Sequence, residues 1–157
     1  MALMRLVRAD SELLDAARAG DDALARALGH DVVTGWATFR EALGSKAGAA
    51  WGSRLFVTGE PPELVGWGGF KGPPRDGVVE IGYEIAAARR ERGLATAAVR
   101  AMVAEAFADD RVEAVIAHTL PERNASNRVL EKAGFRFDGD ALESGRVVWR
   151  YLLARRK

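Results

Sequence analysis

The sequence predicts one α/β (α+β) domain in which a mixed, largely antiparallel central sheet is flanked by helices. The chain has 157 residues, a length typical of one domain with a buried core, and no linker-like segment divides it. Three strand-like segments follow one another without a helix between them, which indicates an antiparallel meander. A strand–helix–strand unit from Val78 to Leu120 predicts one parallel pair of strands.

The first half of the chain is predicted to hold a short strand, helices and the meander. "LMRLV" is the strand, and "DSELLDAARAGDDALARAL" has apolar residues at helical spacing, with Asp10 or Ser11 as its N-cap and a break near Gly20. "TGWATFREALGSKAG" is predicted as a further helix with Trp36 and Phe39 on one face. "RLFVTG", "ELVGWGGF" and "VVEIGYEIA" form the meander, and the glycines of "GWGGF" indicate a bulge.

The second half alternates helices and strands before it ends in a hairpin. A helix is predicted from Thr96 to near "ADD", followed by the buried-type strand "EAVIAHTL". "NASNRVLEKAG" predicts a short helix that Gly134 ends, because glycine is common just past the C-terminus of a helix. "FRFDG" and "RVVWRYLL" are predicted to pair across a "DALESG" turn.

Composition excludes several classes of function. The net charge is +1, from 23 basic and 22 acidic residues, so we expect no nucleic-acid and no membrane partner, and any anion site must be local. There is no cysteine, which removes disulfides, thiolate metal ligands and a cysteine nucleophile. "MALMRLVRAD" lacks the apolar run of a signal peptide, and no apolar stretch could span a membrane, so we expect a cytoplasmic protein.

The turn "RRERGLAT" places cations where a helix begins, although the positive end of a helix dipole favours acidic residues. A bound phosphate or pyrophosphate would make Arg90 and Arg92 complementary to their surroundings. Gly93 removes a Cβ where such a ligand would approach the backbone. The alternative is that the arginines are solvated and Gly93 is an ordinary turn residue. The sequence contains neither a P-loop nor a dinucleotide-binding glycine motif.

These segments resemble the GNAT superfamily of acyl-CoA-dependent N-acetyltransferases. Arg90, Gly93 and Ala95 fall on the fixed positions of that family's pyrophosphate loop, [RQ]xxGx[GA]. "AHTLPERNASNRVLEKAGF" is similar to the family's following strand and helix, and "EIGYEIA" to its acetyl-CoA-binding strand. The resemblance is close from Val78 to Phe137 and is greatest to the branch that includes ribosomal-protein N-terminal acetyltransferases. It implies a single acyl-CoA N-acyltransferase domain over residues 1–157 with a GNAT-like fold.

The resemblance also implies which residues bind acetyl-CoA, the acetyl donor, and it implies no metal. The pyrophosphate would lie on the backbone N–H groups of the arginine-rich turn and the helix start, namely Arg90, Glu91, Arg92, Gly93, Leu94, Ala95 and Thr96. The pantetheine arm would pair like an extra strand with Glu84, Ile85 and Ala86. Asn124 would hydrogen-bond the arm from the other side, although it stands one residue later than usual. Arg128 is either a ligand of the adenosine phosphate or a solvated surface arginine.

The resemblance further implies that the parallel strands splay apart at Ala86 and His118, with the thioester in the gap. An attacking amine must be neutral, and because amine pKa values lie at about 8 to 10.4, a base helps. Glu80 is one candidate, unless its face of the strand is solvated. His118 is the other, since imidazole titrates near neutral pH, unless it is structural. A backbone N–H at Ile85 or Ala86 would stabilise the oxyanion.

The leaving thiolate is the remaining group that needs a partner. Ser126 falls where this branch often has a serine near the thiol, so it is a candidate acid or thiolate donor, or else a cap-like helix residue. Leu130 stands where many members of the family carry a tyrosine acid, which argues against an acid at that position. With no cysteine, direct attack of an amine on the thioester is the economical mechanism.

The acceptor is expected to be a primary amine, either a peptide N-terminus or a small molecule, and homodimerisation is left open. In this family the first helices and the last hairpin recognise the acceptor, which here carry Trp36, Phe39, Trp51, Asp138, Asp140 and Glu143; otherwise the aromatic residues are core and the acids solvated. One alternative function is a non-catalytic acyl-CoA-binding or sensing module on the same fold. Another is a nucleic-acid-binding domain, against which the balanced charge argues.

Overall fold

The computed structural model describes residues 3–33 and 50–156. The helix predicted over residues 34–48, with Trp36 and Phe39, lies outside the described residues. The described elements are β1 (Arg5–Arg8), α1 (Ser11–Ala19), α2 (Asp21–Leu28), β2 (Asp31–Val32), β3 (Ser53–Thr58), β4 (Glu63–Phe70), β5 (Val78–Ile85), a 3₁₀ turn (Ala87–Arg89), α3 (Leu94–Phe107), β6 (Ala114–Thr119), α4 (Ala125–Lys132), β7 (Arg136–Glu143) and β8 (Arg146–Ala154).

The described strands form one mixed sheet in the order β1-β3-β4-β5-β6-β8-β7, and β2 pairs with the start of β4. The β3–β4–β5 meander is antiparallel, as predicted. The pair β5–β6 is parallel and is connected through α3, again as predicted. The remaining pairs on the path are antiparallel, so the predicted fold class is confirmed.

The helices cover both faces of the sheet. On one face, α3 and α4 pack on β5 and β6 through residues such as Met102 and Leu130, which are fully buried. On the other face, Leu14 of α1 and Leu24 of α2 pack against β3 and β4. Asp10 is the N-cap of α1, with its carboxylate accepting from the N–H of Leu13. No helix among the described residues is long and apolar enough to cross a membrane.

Glycines of β4 bring that strand unusually close to β5. A Cβ added to Gly66 or Gly68 would collide with the carbonyl oxygens of Glu84 and Gly82, respectively. The register between β3 and β4 also shifts next to Val65, which is the extra residue of a bulge. The predicted bulge is therefore present one residue before "GWGGF", and the glycines themselves serve close packing.

Two predicted boundaries were wrong. Helix α3 begins at Leu94 rather than Thr96, because Gly93 is its N-cap. The "DALESG" segment is not a turn: β7 continues through Glu143, and only Ser144 and Gly145 connect it to β8. Both connecting residues have positive φ, as a two-residue hairpin requires. The prediction gave too much weight to the turn-forming residues and too little to cross-strand pairing.

Candidate active site

The arginine-rich turn ends in a helix N-terminus that faces open space. Glu91 and Gly93 have left-handed backbone conformations, with φ of 64° and 76°. A Cβ added to Gly93 would meet nothing within 4 Å. The first N–H groups of α3, at Leu94, Ala95 and Thr96, have no acceptor within the helix by its geometry, since the Gly93 carbonyl is bonded by Ala97. This end of α3 can therefore accept an anion.

Two of the three arginines in the turn have structural partners. The Arg89 guanidinium pairs with Glu63, with Nε 2.8 Å from Oε1 and Nη2 3.3 Å from Oε2. Hydrogen bonding to Arg89 holds the pKa of Glu63 below its usual value, against the opposing effect of burial. Arg90 turns back and donates from Nε to the Ile85 carbonyl at 3.0 Å. The backbone nitrogen of Arg90 is 3.4 Å from the Ala87 carbonyl oxygen. This N–H therefore already has an acceptor, unlike the N–H groups at the start of α3.

Strands β5 and β6 separate earlier than expected. Their register pairs Val78 with Ala114 through Ile81 with Ala117, and stops there although β5 continues to Ile85. The residues on either side of the opening are therefore Gly82 and His118. The splay predicted at His118 is correct for β6, but on β5 it begins four residues before Ala86. The residue at which the strands separate depends on pairing between two strands that are distant in the sequence, so the local sequence does not encode it.

The backbone of β5 presents alternate residues to the gap. The N–H of Ala86 donates to the Val65 carbonyl of β4 at 2.8 Å, so of the two predicted oxyanion donors, Ile85 and Ala86, the second is not available. Because backbone groups alternate in direction along a strand, the N–H of Ile85 points to the opposite side, toward the gap. The same alternation directs the backbone of Tyr83 to the gap and that of Glu84 to β4. Tyr83 and Ile85 are therefore better placed to pair with a ligand than Glu84 and Ala86.

Glu80 and His118 meet at the opening of the gap. The Nδ1 atom of His118 lies 2.9 Å from Glu80 Oε2, and the two side chains are 13% and 21% exposed. Val79, Ile81 and Ile85 face α3 and α4, so Glu80 and His118 lie on the opposite face of the sheet. With Nδ1–H donating to the carboxylate, Nε2 is left as the acceptor nitrogen, which is the arrangement of an oriented general base.

Two further charged side chains complete a cluster with Glu80 and His118. The Nζ atom of Lys71 lies 2.8 Å from Glu80 Oε2 and 3.1 Å from Glu143 Oε1. His118 Nδ1 is 3.5 Å from Glu143 Oε2. Burial raises the pKa of Glu80, but hydrogen bonds from Lys71 and His118 outweigh it, so the pKa lies below its ordinary value. We refer to Lys71, Glu80, His118 and Glu143 as the charge cluster.

The charge cluster also has the spacing of a cation site. Ligand atoms of Glu80, His118 and Glu143 lie within 4.8 Å of one another. The Lys71 ammonium is bonded to both carboxylates and already supplies positive charge there. Burial lowers the pKa of Lys71, but hydrogen bonds to Glu80 and Glu143 raise it by more. The pKa therefore lies above its ordinary value, and the amine is protonated at rest. The expectation of no metal stays a prediction.

Tyr83 and Ser126 form a second polar pair on the helix face of β5. The two hydroxyl oxygens are 2.9 Å apart, and either can donate. Burial raises the pKa of the Tyr83 phenol, with the Ser126 hydrogen bond opposing it, so the phenol keeps its proton at neutral pH. Ser126 was predicted, whereas Tyr83 was missed. Strand alternation alone could have assigned Tyr83 to the face opposite Glu80.

Asn124 and Asn127 fix the start of α4 beside the end of β6. The Asn124 side chain accepts from the Asn127 N–H at 3.2 Å, and the Asn127 side chain accepts from the Asn124 N–H at 2.7 Å. This is a reciprocal capping box, so the carbonyl oxygen of the Asn124 side chain already has a local partner. Asn127 is fully buried and also donates to Thr119 Oγ1 at 3.1 Å, which ties α4 to β6.

Replacing Asn127 with alanine is expected to destabilise the protein by about 2 kcal/mol. The substitution removes half of the capping box and leaves buried partners without their hydrogen bonds. Chemical denaturation, read from the midpoint at constant slope, measures this change. Asn124→Ala is the matched control and should cost about 1 kcal/mol, because it loses the cap but not the contact with Thr119. Equal losses in the two variants would contradict a separate role for Asn127.

Other predicted residues lie apart from the charge cluster. Trp51 packs edge-on against Phe70, with ring centroids 5.1 Å apart, and lines a separate cavity with Arg54 and Glu105; this packing fits the alternative of a core residue, and its part in the acceptor site stays a prediction. Asp138 pairs with Arg150 at 3.0 Å on the surface of the hairpin. Asp140 is an exposed strand residue, and Arg128 is exposed on α4. Of the three predicted acids of the hairpin, only Glu143 has a described contact with the charge cluster.

A cavity of about 440 Å³ opens beside the charge cluster. Lys71 and Glu80 line it, together with Arg75, Val78 and Ile116. It lies on the face of the sheet opposite α3 and α4, since Glu80 and Ile116 point away from the core that those helices cover. The sheet thus has the open N-terminus of α3 on one face, the Glu80–His118 pair and a cavity on the other, and the gap between β5 and β6 between them.

Comparison with known proteins agrees with this arrangement. Residues 2–136 match the family model described as an acetyltransferase (GNAT) domain. The chain is 30% identical to the uncharacterized N-acetyltransferase YjdG of Bacillus subtilis, over 84% of this chain and 85% of that protein. Its fold is similar to that of the aminoglycoside acetyltransferase AAC(6')-Ib bound to coenzyme A and kanamycin, with a TM-score of 0.67, 20% identity and coverage of 99% and 95% of the two chains.

A further structural neighbour comes from the branch that the sequence suggested. It is described as a putative ribosomal-protein-serine acetyltransferase from Vibrio cholerae, and it aligns with 66% of this chain and 64% of its own, with a TM-score of 0.59 and 16% identity. Likeness at that level concerns the fold alone. The extent of the family match and the 30% identity over 85% of a relative decide the broader assignment. The chain belongs to the GNAT family of acetyltransferases.

Proposed function

We propose that this protein is an N-acetyltransferase that moves an acetyl group from acetyl-CoA to a primary amine by direct attack. The observation that carries the proposal is the early end of the β5–β6 pairing. The register stops at Ile81 and Ala117, and the next four residues of β5 continue as a strand without pairing to β6. A strand edge of this kind can bind an extended, amide-containing arm by main-chain hydrogen bonds.

The donor binds from the face that α3 and α4 cover. Its pyrophosphate lies on the N–H groups at the start of α3, where the helix dipole and the missing Cβ of Gly93 favour an anion. Its pantetheine amides pair with the backbone of Tyr83 and Ile85 in the gap. Arg92 is exposed beside the helix start and adds positive charge there. Arg128, exposed on α4, is the candidate for the adenosine phosphate.

The acceptor amine binds from the opposite face, beside the charge cluster. Protonated amines are attracted by Glu80 and Glu143, which already share the ammonium of Lys71. His118 Nε2 then takes a proton from the amine, while Glu80 holds Nδ1–H and stabilises the imidazolium. Because the pKa of Glu80 is lowered, its carboxylate stays ionised across the neutral range and can perform this role.

The amine then attacks the thioester carbonyl at the opening of the gap. The N–H of Tyr83 points toward the gap next to Gly82 and stabilises the oxyanion, whereas Ile85 lies further along the pantetheine arm and the Ala86 N–H is bonded to Val65. The leaving thiolate is protonated from the helix face, where the Tyr83–Ser126 pair offers a hydroxyl proton, and the second proton of the attacking nitrogen passes to solvent as the amide forms. Base and acid therefore act from opposite faces of one strand. Peptide N-termini and small-molecule amines both remain candidate acceptors, as the varied names of the structural neighbours illustrate.

Thermal unfolding with acetyl-CoA tests the proposal first. A ligand that binds only the folded state, at about 100 times its dissociation constant, stabilises it by about 2.7 kcal/mol. For a domain of this size each kcal/mol raises the melting temperature by about 2–4 °C. We therefore expect a rise of several degrees with acetyl-CoA and with desulfo-CoA. Inorganic phosphate, the control, should give little change.

A panel of primary amines, followed by release of free thiol, then identifies the acceptor. Turnover that requires both an amine and acetyl-CoA supports the transferase. Stabilisation by acetyl-CoA without thiol release for any amine would instead support a non-catalytic acyl-CoA-binding module. No stabilisation at millimolar acetyl-CoA would contradict both functions.

A further inference from the structure

Lys71 is the member of the charge cluster that the proposed function leaves without a chemical role. Its Nζ atom lies 2.8 Å from Glu80 Oε2 and 3.1 Å from Glu143 Oε1. Its side chain passes over Gly82, where an added Cβ would lie 3.7 Å from Lys71 Cε. Gly82 is the first residue of β5 beyond the register shared with β6. The amine of Lys71 therefore stands at the opening of the gap, in contact with a carboxylate of the proposed proton-accepting pair.

We propose that Lys71 is itself an acetyl acceptor, so that the protein acetylates its own chain at this position. The inference rests on the proposed function, because it needs the thioester of acetyl-CoA in the gap between β5 and β6. What it adds is the identity of one acceptor, a lysine side chain on the loop after β4. A primary amine held against a base at the reacting centre has a large advantage over amines in solution.

The reaction balances with the groups at hand. The Lys71 ammonium loses one proton to solvent, and the neutral Nζ attacks the carbonyl carbon of the thioester. Glu80 takes the second proton from the nitrogen as the amide forms and passes it to solvent. A carbon–nitrogen bond forms, the carbon–sulfur bond breaks, and the electron pair leaves with sulfur. The thiolate takes up a proton from the Tyr83–Ser126 pair, which solvent restores. The products are an Nε-acetylated Lys71 and coenzyme A, and no further reactant is needed.

Acetylation also changes the site that it occurs in. The amide of acetyl-lysine carries no charge, so Glu80 and Glu143 lose the cation that they share in the resting protein. Two carboxylates that face a common point attract another cation, and the ammonium group of an external acceptor is one. Modification of Lys71 thus exchanges an internal amine for a vacant ammonium-binding position beside His118.

The chain offers an unusually clear background for a test. It contains four lysines, Lys46, Lys71, Lys132 and Lys157, so acetylation can be mapped completely by peptide mass spectrometry. Lys132 is exposed at the end of α4 and has no described contact with the charge cluster. It serves as the internal control for acetylation by acetyl-CoA in solution, which depends on exposure rather than on a catalytic site.

The experiment incubates the purified full chain with radiolabelled acetyl-CoA and no added amine. We expect label to approach about one acetyl group per chain, on Lys71, with a fraction modified per unit time that does not depend on protein concentration. Lys71→Arg keeps a cation but removes the nucleophile, and should abolish this label. Glu80→Gln should slow labelling at least about 10-fold, since it removes the proton acceptor. Lys132→Arg should leave the label on Lys71 unchanged.

Each contrary result has a distinct meaning. Equal labelling of Lys71 and Lys132, or an undiminished rate in Glu80→Gln, would overturn the proposal in favour of acetylation in solution. A rate proportional to protein concentration would overturn transfer within one chain. Absence of label, while acetyl-CoA still raises the melting temperature and supports turnover of an amine, would overturn the role of Lys71 and leave the proposed function intact. If acetyl-CoA does not stabilise the protein, both fail.

Discussion

Replacing His118 with glutamine is expected to lower kcat about 10²- to 10⁴-fold, the usual contribution of a positioned general base. Glutamine can still hydrogen-bond to Glu80 but cannot accept and release a proton near neutral pH. Affinity for acetyl-CoA should not change, because the helix start proposed to bind its pyrophosphate lies at the other end of the gap. Steady-state kinetics with the best amine from the thiol-release panel measures the effect, and binding of acetyl-CoA by calorimetry supplies the control.

Replacing Glu80 with glutamine distinguishes the role of Glu80 from that of His118. It keeps an acceptor for Nδ1–H but removes the charge, so a smaller loss of kcat than in His118→Gln is expected. The lowered pKa of Glu80 keeps its carboxylate ionised well below neutral pH, so protonation of Glu80 cannot cause a loss of activity between pH 5 and 7. A loss of wild-type activity in that range would therefore have to come from a group other than Glu80. Wild-type kcat in His118→Gln would assign the proton to another acceptor.

Gly93→Val is expected to weaken acetyl-CoA binding at least about 100-fold. Two or more charge-assisted hydrogen bonds from the helix start would be blocked, each contributing about 1.5–3 kcal/mol, and 1.4 kcal/mol corresponds to a tenfold change. The added Cβ meets no protein atom within 4 Å, so the fold should survive. The left-handed backbone, with φ of 76°, should cost about 2 kcal/mol of stability. Calorimetry and denaturation measure the two effects separately.

Gly29→Val is a matched control for that strain. Gly29 ends α2 with a φ of 80°, and a Cβ there also meets nothing within 4 Å. Its replacement should lower stability by a similar amount while leaving the affinity for acetyl-CoA as in the wild type. Equal affinities in the two variants would mean that the turn from Arg89 to Gly93 does not hold the pyrophosphate, and the assignment of the donor site would have to be abandoned.

The parts of the site that are local in sequence could be predicted. A strand, a turn with a glycine and a helix start are written into "EIGYEIAAARRERGLAT", and Glu80, His118 and Ser126 were singled out from chemistry and resemblance. Each has a polar contact at the gap, although which residue transfers a proton stays a prediction. Local patterning also predicted the strand order along the chain, because each strand and helix has its own period.

The parts that depend on long-range pairing could not be predicted. Nothing in the sequence around Lys71 singles it out, and only the tight packing of β4 on β5 brings its amine to Glu80. Glu143 was assigned to a loop, whereas the extended β7–β8 hairpin carries it to the charge cluster. The Ala86 N–H was expected to be available because nothing in its own segment reveals its bond to Val65.

The short seam between β5 and β6 has a mechanical consequence. One half of the sheet, β1 to β5, is joined to the other, β6 to β8, by four residue pairs, from Val78–Ala114 to Ile81–Ala117. We call these two halves, β1–β5 and β6–β8, the plates of the sheet; they are paired along one part of the edge that they share and are separate along the rest. An extended ligand arm bound in the gap would connect the two plates through new hydrogen bonds to their main chains.

The charge cluster spans the two plates. Lys71 and Glu80 belong to one plate, whereas His118 and Glu143 belong to the other. A change in the angle between the plates alters the distances within the charge cluster. A ligand that fills the gap and bonds to both plates would therefore also change the spacing of the charges on the opposite face of the sheet. Donor binding in the gap would in this way adjust the site for the acceptor, through the stiffness of an interrupted sheet.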